Sequence, residues 1–216
     1  MPRARRLVTR TAHHELAPLT AEQVVVLLDS VAEDRFAALY TTAVAMGLRQ
    51  GELLALRWSD VDLSAGLLSV RHTLDRRTRT RSTPKTEQSR RTLQMPTIVV
   101  AALRHHQPRQ REERVVALDG YVFATRTGEP LDSRNVTRYF QRALVDAGLP
   151  HQRFHDMRHA CATLLLERGE DLAVVSKLLG HSNLSTTADV YAHLTRGMQQ
   201  RAADRMDAIL GRASTA

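Results

Sequence analysis

The chain has 216 residues, 31 of them Lys or Arg and 23 Asp or Glu, which gives a formal net charge of +8. This length suits about one domain, and a hydrophobic content of 43% is that of a globular protein. The positive charge points to a polyanionic partner, whereas an aromatic content of 4% argues against base stacking on an aromatic platform. Cys161 is the single cysteine, so an internal disulfide is excluded.

The first 17 residues are predicted to be a basic arm or the remnant of an interdomain linker, and a solubilising end is the simpler alternative. Arg3, Arg5, Arg6 and Arg10 supply half of the charge excess here. No apolar run is long enough to span a membrane, and the N-terminus lacks the apolar stretch of a signal peptide. Together with the lone cysteine, these features predict a cytoplasmic protein without membrane contact.

Helical periodicity starts at "PLTAEQVVVLLDSV", where Thr20 followed by Gln23 predicts a capping box. A second apolar helix, "DRFAALYTTAVAMG", is expected to end at Gly47, and "GELLALRWSDVDL" is expected to begin as a short helix. Further helices are predicted in "TIVVAALRHH", "SRNVTRYFQRALVDAG", "FHDMRHACATLLLERG", "DLAVVSKLLG", "LSTTADVYAHL" and the amphipathic "MQQRAADRMDAIL".

The period changes to two between residues 67 and 95, where "LLSVRH", "TRTRST" and "SRRTLQM" predict three short strands joined by turns. "YVFAT" is predicted to be a brief extended segment, and the charged, proline-containing "QPRQREER" is predicted to be a loop. The fold class is therefore α+β, a mostly helical domain with one small three-stranded antiparallel sheet.

Arginine dominates the basic residues, and the chain has only two lysines, Lys85 and Lys177. Lys85 lies in a predicted turn of a basic hairpin, "RSTPKTEQSRRTLQMP". Arg49 projects from a loop after an apolar helix, with Glu52 placed to orient it. An arginine in such a position is ordinarily a surface residue, but its planar fork also suits binding of phosphate oxygens.

The segment "RFHDMRHACATLLLERG" places His155 and Arg158 on one helical face at a spacing of three residues. His159 completes a pattern similar to the HExxH zinc motif, but Asp156 replaces the glutamate and a cation sits beside the proposed metal. A solvated polar face is the structural alternative. Cys161 on the same helix is expected to be a small buried hydrophobe rather than a nucleophile.

The segment "DLAVVSKLLGHSNLSTTADVY", with two predicted short helices about a glycine turn, could be a helix-turn-helix, which makes a DNA-binding regulator the main alternative class. Tyr191 is unusual there because a phenol in this polar setting has no obvious packing role. Tyr40, Tyr121 and Tyr139 are instead interpreted as core residues.

Taken in order, these motifs resemble the tyrosine recombinases, or phage-type integrases, from about Pro18 to the C-terminal helix. The resemblance implies the catalytic fold of that family and DNA strand cleavage and rejoining through a 3′-phosphotyrosyl intermediate. It assigns the family's catalytic set to Arg49, Lys85, His155, Arg158, His181 and Tyr191. It makes Lys85 the general acid, and neighbouring cations such as Arg81, Arg90 and Arg91 are expected to lower the pKa of Lys85. It also implies that neither a metal nor a cofactor is needed. A type IB topoisomerase-like enzyme shares this chemistry, and the alternative is a helix-turn-helix DNA-binding regulator or a catalytically inactive integrase relic.

The same resemblance implies three segments: residues 1–17 as the arm, 18–196 as the catalytic domain, and 197–216 as a C-terminal helix and tail. The implied partners are double-stranded DNA, three further copies of the chain in a tetramer on two DNA sites, and an accessory directionality factor. The implied setting is bacterial and nucleoid-associated. Members of that family usually carry a helical core-binding domain ahead of the catalytic domain, whereas ordered sequence is expected here from about Pro18. If the chain is a fragment, weak and steeply salt-dependent DNA binding is expected.

Overall fold

The computed structural model describes residues 17–83, 89–113, 120–180 and 203–209. Its helices are α1 (Ala21–Ser30), α2 (Ala37–Met46), α3 (Gln50–Leu54), α4 (Thr97–Glu112), α5 (Ser133–Asp146), α6 (Asp156–Glu167) and α7 (Leu172–Leu179). Residues 203–209 are also helical. The predicted helix in "LSTTADVYAHL" lies outside the described residues. In the part of the chain that the structure describes, no helix is long and apolar enough to cross a membrane.

The predicted three-stranded antiparallel sheet is confirmed. It consists of β1 (Val61–Asp62), β2 (Leu67–Val70) and β5 (Arg91–Gln94) in the order β1-β2-β5. A separate antiparallel ribbon pairs β3 (Thr73–Leu74) with β4 (Arg81–Ser82). The segment "TRTRST" therefore contributes to this ribbon, and the third strand of the sheet is β1.

The core is built around α2, which is buried on nearly every side and packs against α4 and α6. Tyr40 is buried as predicted, and its ring lies 5.8 Å from that of Phe140 on α5. The prediction for Tyr139 is wrong: it is 42% exposed and stacks on Phe36 at 5.1 Å. Adjacent helical residues point about 100° apart, so Phe140 takes the inward position and Tyr139 lies at the edge.

The loop predicted for "QPRQREER" is also wrong, because α4 continues through Pro108 to Glu112. Gln110 explains the continuation. Its side-chain oxygen accepts a hydrogen bond from Trp58 Nε1 at 2.7 Å, and its amide nitrogen donates to the Tyr121 carbonyl at 2.9 Å. These buried contacts compensate for the backbone donor that proline lacks. The predicted extended segment "YVFAT" pairs only through isolated bridges within the described residues.

The predicted start of α1 and the predicted end of α2 are both confirmed. Thr20 and Gln23 form the reciprocal capping box of α1. Gly47 ends α2 in the left-handed conformation, with φ of 57°. A Cβ added at Gly47 would lie 2.6 Å from Leu179 Cδ2 and 3.2 Å from Cys161 Sγ. Glycine at this position therefore lets α2 approach the packed pair of α6 and α7.

We expect Gly47→Ala to destabilise the fold strongly. The left-handed backbone costs a residue with a side chain about 1–3 kcal/mol, and overpacking adds about 1–3 kcal/mol. Gly148→Ala is the matched control, because Gly148 has φ of 67° but a Cβ there would meet no atom within 4 Å. Urea denaturation followed by circular dichroism measures both variants. Equal losses in the two would contradict the packing argument.

Candidate active site

Arg49 occupies the N-cap of α3, directly after the turn that ends α2. Its backbone N–H donates to Glu52 Oε2 at 3.0 Å, and its Nη1 donates to Glu52 Oε1 at 2.8 Å. The side chain keeps 39% of its surface exposed, whereas that of Glu52 keeps 4%. The orientation of Arg49 by Glu52 is thus as predicted, and the guanidinium remains accessible to a ligand.

Arg158, on the first turn of α6, is only 3% exposed. Its Nη1 donates to the Gly47 carbonyl at 2.7 Å, and its Nη2 donates to the Leu179 carbonyl at 2.8 Å. The first contact joins it to the turn just before Arg49, and the second joins it to the end of α7. A buried guanidinium held in this way cannot change its position easily.

The C-terminal end of α7 brings the cationic groups together. Three consecutive carbonyls accept hydrogen bonds there: Leu178 from Arg91 Nε at 2.8 Å, Leu179 from Arg158 Nη2, and Gly180 from Arg49 Nη2 at 3.1 Å. Arginines from β5, α6 and the α3 N-cap therefore converge on one turn. The carbonyl end of a helix carries partial negative charge, which favours this arrangement.

His155 precedes Arg158 by three residues at the N-cap of α6, and the residue as a whole is exposed to solvent. The surrounding protein lowers the pKa of His155 to about 4, chiefly by burial and next through the charges of His159 and Arg158. The rings of His155 and His159 meet edge to face at 5.1 Å. The imidazole is consequently neutral above about pH 4 and can accept a proton.

Lys85, His181 and Tyr191 lie outside the described residues, so their predicted roles stay predictions. In the chain, Lys85 falls between β4 and β5, and His181 follows Gly180 directly. Arg49, His155 and Arg158 are the members of the predicted set that the structure describes, and it brings all three to the end of α7 and the start of α6.

The predicted effect of nearby cations on Lys85 is also untested, but two of those cations are engaged elsewhere. Arg81 donates to the Asp60 carboxylate at 2.9 Å, and Arg91 donates to that of Glu52 at 3.0 Å. Each of these guanidinium groups is therefore paired with a buried acid, although Glu52 also pairs with Arg49.

Sequence reasoning treated Arg91 only as one of several basic neighbours, whereas its side chain is 8% exposed and ion-paired. A signal for its burial was present in "RTLQ", because side chains alternate between the faces of a strand. Arg91 and Leu93 take the inward face of β5, and Thr92 and Gln94 take the outward face.

The prediction for Cys161 on α6 can be assessed. Cys161 is buried as expected, and burial raises the pKa of its thiol to about 12, so the reactive thiolate is disfavoured. Across residues 17–83, 89–113, 120–180 and 203–209, no cluster of three or more His, Cys, Asp or Glu side chains could hold a metal ion.

The chain matches the phage integrase family over residues 18–198. It is 35% identical over 212 residues to the XerC-like tyrosine recombinase of Caldanaerobacter subterraneus subsp. tengcongensis. That match covers 89% of this chain and 54% of the relative. It is 34% identical over 186 residues to the ICEBs1 integrase of Bacillus subtilis. That match covers 81% of this chain and 49% of the relative. The chain thus spans about half the length of these curated relatives.

Solved structures share the fold. The Tn1549 transposon integrase superposes with a TM-score of 0.76 at 24% identity, covering 88% of this chain and 65% of that one. The XerA recombinase superposes with a TM-score of 0.71 at 24% identity, covering 87% and 64% respectively. The chain therefore belongs to the phage integrase family and has the fold of a tyrosine recombinase catalytic domain.

Proposed function

We propose that this chain is the catalytic domain of a site-specific DNA recombinase, a strand transferase that cleaves and rejoins DNA through a 3′-phosphotyrosyl intermediate. The observation that carries the proposal is the convergence of Arg49 and Arg158 on consecutive carbonyls of one turn, with His155 one helical turn from Arg158. Membership of the phage integrase family supports the same chemistry.

The two arginines are suited to clamp a phosphate. Phosphoryl transfer develops charge on the non-bridging oxygens, and fixed guanidinium donors stabilise that charge without reorganising. Arg158 is pre-positioned by burial, while the partly exposed Arg49 can present its fork to an incoming phosphodiester. We assign His181, which follows Gly180 in the chain, as a third donor to the same oxygens. Three cationic or donor groups can thereby do the work that a metal ion does in other phosphoryl transferases.

Two proton transfers complete the proposed step. The Tyr191 hydroxyl attacks phosphorus, and its proton passes to the neutral imidazole of His155, whose pKa of about 4 leaves its lone pair available. The bond from phosphorus to the 5′-oxygen breaks as Lys85 donates a proton to that oxygen. The products are a 3′-phosphotyrosyl link and a free 5′-hydroxyl, so the bond energy is conserved and ATP is not consumed. A 5′-hydroxyl from a partner strand reverses the step.

Strand exchange would need more than one copy of the chain. We propose that a tetramer binds two double-stranded DNA sites and exchanges strands through a Holliday junction. An accessory directionality factor would act on this assembly. The Tn1549 integrase and XerH were solved in complex with DNA, and lambda integrase was solved as a dimer on a core site. The protein would then act at the bacterial nucleoid, where its DNA substrate lies.

The proposed segments divide the chain into an arm at 1–17, the catalytic domain at 18–196 and a C-terminal helix and tail at 197–216. Within the last segment, Met206 and Ile209 are exposed by 55% and 77% on the helix at 203–209. Two apolar side chains three positions apart form one helical face. That exposed face supports docking of this helix on a neighbouring protomer.

A suicide DNA substrate tests the proposal. The substrate is nicked next to the cleavage site so that the released end diffuses away and the protein stays attached. A recombinase is expected to form an SDS-resistant protein–DNA adduct in the presence of EDTA. A helix-turn-helix regulator or an inactive relic would bind without an adduct, and a zinc hydrolase would lose activity in chelator.

A further inference from the structure

Arg91 makes more contacts to the candidate site than its neighbours on β5. Its Nε donates to the Leu178 carbonyl at 2.8 Å and its Nη1 to the Ser89 carbonyl at 3.1 Å. Its Nη2 donates to Glu52 Oε2 at 3.0 Å, with Nη1 3.4 Å from Glu52 Oε1. One nearly buried guanidinium therefore joins the end of α7, the chain just before β5 and the Glu52 carboxylate that holds Arg49.

The Glu52 carboxylate depends on this contact. Burial by itself would raise the pKa of Glu52, but the hydrogen bond and charge of Arg91, followed by those of Arg49, outweigh burial and lower it. In the described residues, Arg91 and Arg49 are the charged groups that act on this carboxylate. Because Arg49 is partly exposed and Arg91 is not, Arg91 is the firmer of the two partners.

The Arg91 guanidinium also lies against Gly180, the C-cap residue that follows α7. A Cβ added to Gly180, which has φ of 68°, would lie 2.8 Å from Arg91 Nη1 and 3.0 Å from Arg91 Cζ. The Arg91 guanidinium therefore lies close to the Gly180 backbone, on the side where a side chain would project. Arg91 contacts the Leu178 carbonyl in the same turn whose Gly180 carbonyl accepts from Arg49.

We propose that Arg91 is a positioning residue for the strand-transfer reaction. It binds Glu52 on one side and the Leu178 carbonyl at the end of α7 on the other. It thereby fixes the Arg49 guanidinium, which Glu52 holds, relative to the C-terminal end of α7. This inference rests on the proposed function. Only arginine satisfies these contacts, because they need several donors at fixed directions from one planar group. A lysine keeps the charge but reaches one or two of the acceptors.

Arg91→Lys is the first test, with Arg142→Lys as the matched control. Arg142 lies on α5 with 82% of its side chain exposed, so the same chemical change there touches none of these contacts. We expect Arg91→Lys to slow single-turnover adduct formation at saturating DNA at least tenfold, with DNA affinity within about twofold of the parent. Arg142→Lys should change neither. A rate in Arg91→Lys equal to that of the control would overturn the proposal.

The pH profile separates positioning from general destabilisation. Without Arg91, the pKa of Glu52 rises, so its carboxylate protonates at a higher pH and releases Arg49 as the pH falls. Arg91→Gln should therefore lose cleavage rate toward acidic pH in a range where the parent rate is flat. Adding Glu52→Gln to that variant should remove this extra pH dependence, because no carboxylate remains to titrate. An unchanged acid limb in Arg91→Gln would contradict the proposal.

Hydrogen exchange tests the positioning without any cleavage. Arg91→Lys should speed amide exchange in the last turn of α7 relative to the parent while leaving exchange in α5 unchanged. An α7 exchange rate equal to that of the parent would overturn the inference. If the parent chain forms no adduct but the α7 amides respond in this way, the proposed function fails and the structural part of the inference stands. If the parent forms the adduct and Arg91→Lys matches it at every pH, only the inference fails.

Discussion

Lys85→Arg is expected to lower DNA cleavage by about 10²–10⁴-fold, the usual contribution of a general acid, while DNA affinity stays close to that of the parent. The 5′-oxygen leaves poorly as an alkoxide, so it needs a proton as the bond breaks. Arginine holds its protons with a pKa above about 12, whereas lysine can release one. A role in DNA contact alone predicts instead that the substitution is harmless.

The measurement is single-turnover adduct formation with saturating suicide substrate. A second substrate with sulfur in place of the bridging 5′-oxygen is the control, because a thiol with a pKa of about 8.5 departs without a proton donor. The variant should cleave this substrate at nearly the parental rate. Parental cleavage of the oxygen substrate, or failure of sulfur to restore the rate, would remove Lys85 from the acid role.

Arg158→Lys is expected to reduce cleavage by about 10²–10³-fold, the cost of removing one preorganised donor to developing charge. It should also reduce stability, because separate Nη atoms of Arg158 reach the carbonyls of Gly47 and Leu179, and the single nitrogen of lysine cannot reproduce that spacing. Leaving a buried acceptor without its donor costs about 1–3 kcal/mol.

Two readouts separate these effects. Urea denaturation reports the loss of stability, and the single-turnover rate is measured where circular dichroism shows the variant to be folded. Arg168→Lys is the matched control, since Arg168 ends the same helix and is exposed. A folded Arg158→Lys protein that cleaves at the parental rate would contradict the proposed clamp.

Local rules predicted the ends of elements well, because the interactions responsible lie within a few residues. Thr20 and Gln23 satisfy each other across one turn, and Gly47 ends α2 through its own backbone conformation. Pro108 was misleading for the opposite reason. Its local preference ends a helix, but the contacts that Gln110 makes with Trp58 come from distant parts of the chain.

The sequence named candidate site residues but could not show how they are brought together. Motif resemblance identified Arg49 and Arg158, whose residue types and local spacing carry the chemistry. Their meeting point could not be predicted, since Arg49 reaches the Gly180 carbonyl across 131 positions of sequence. Arg91 was missed as a site component because its partner, Glu52, lies 39 positions away and on a different element.

The most direct test of the account is to identify the residue that carries the DNA in the trapped adduct. Protease digestion and mass spectrometry should place the 3′-phosphate on Tyr191, and Tyr191→Phe should form no adduct while still binding DNA. An adduct on another side chain, or one that persists in Tyr191→Phe, would contradict the proposed mechanism.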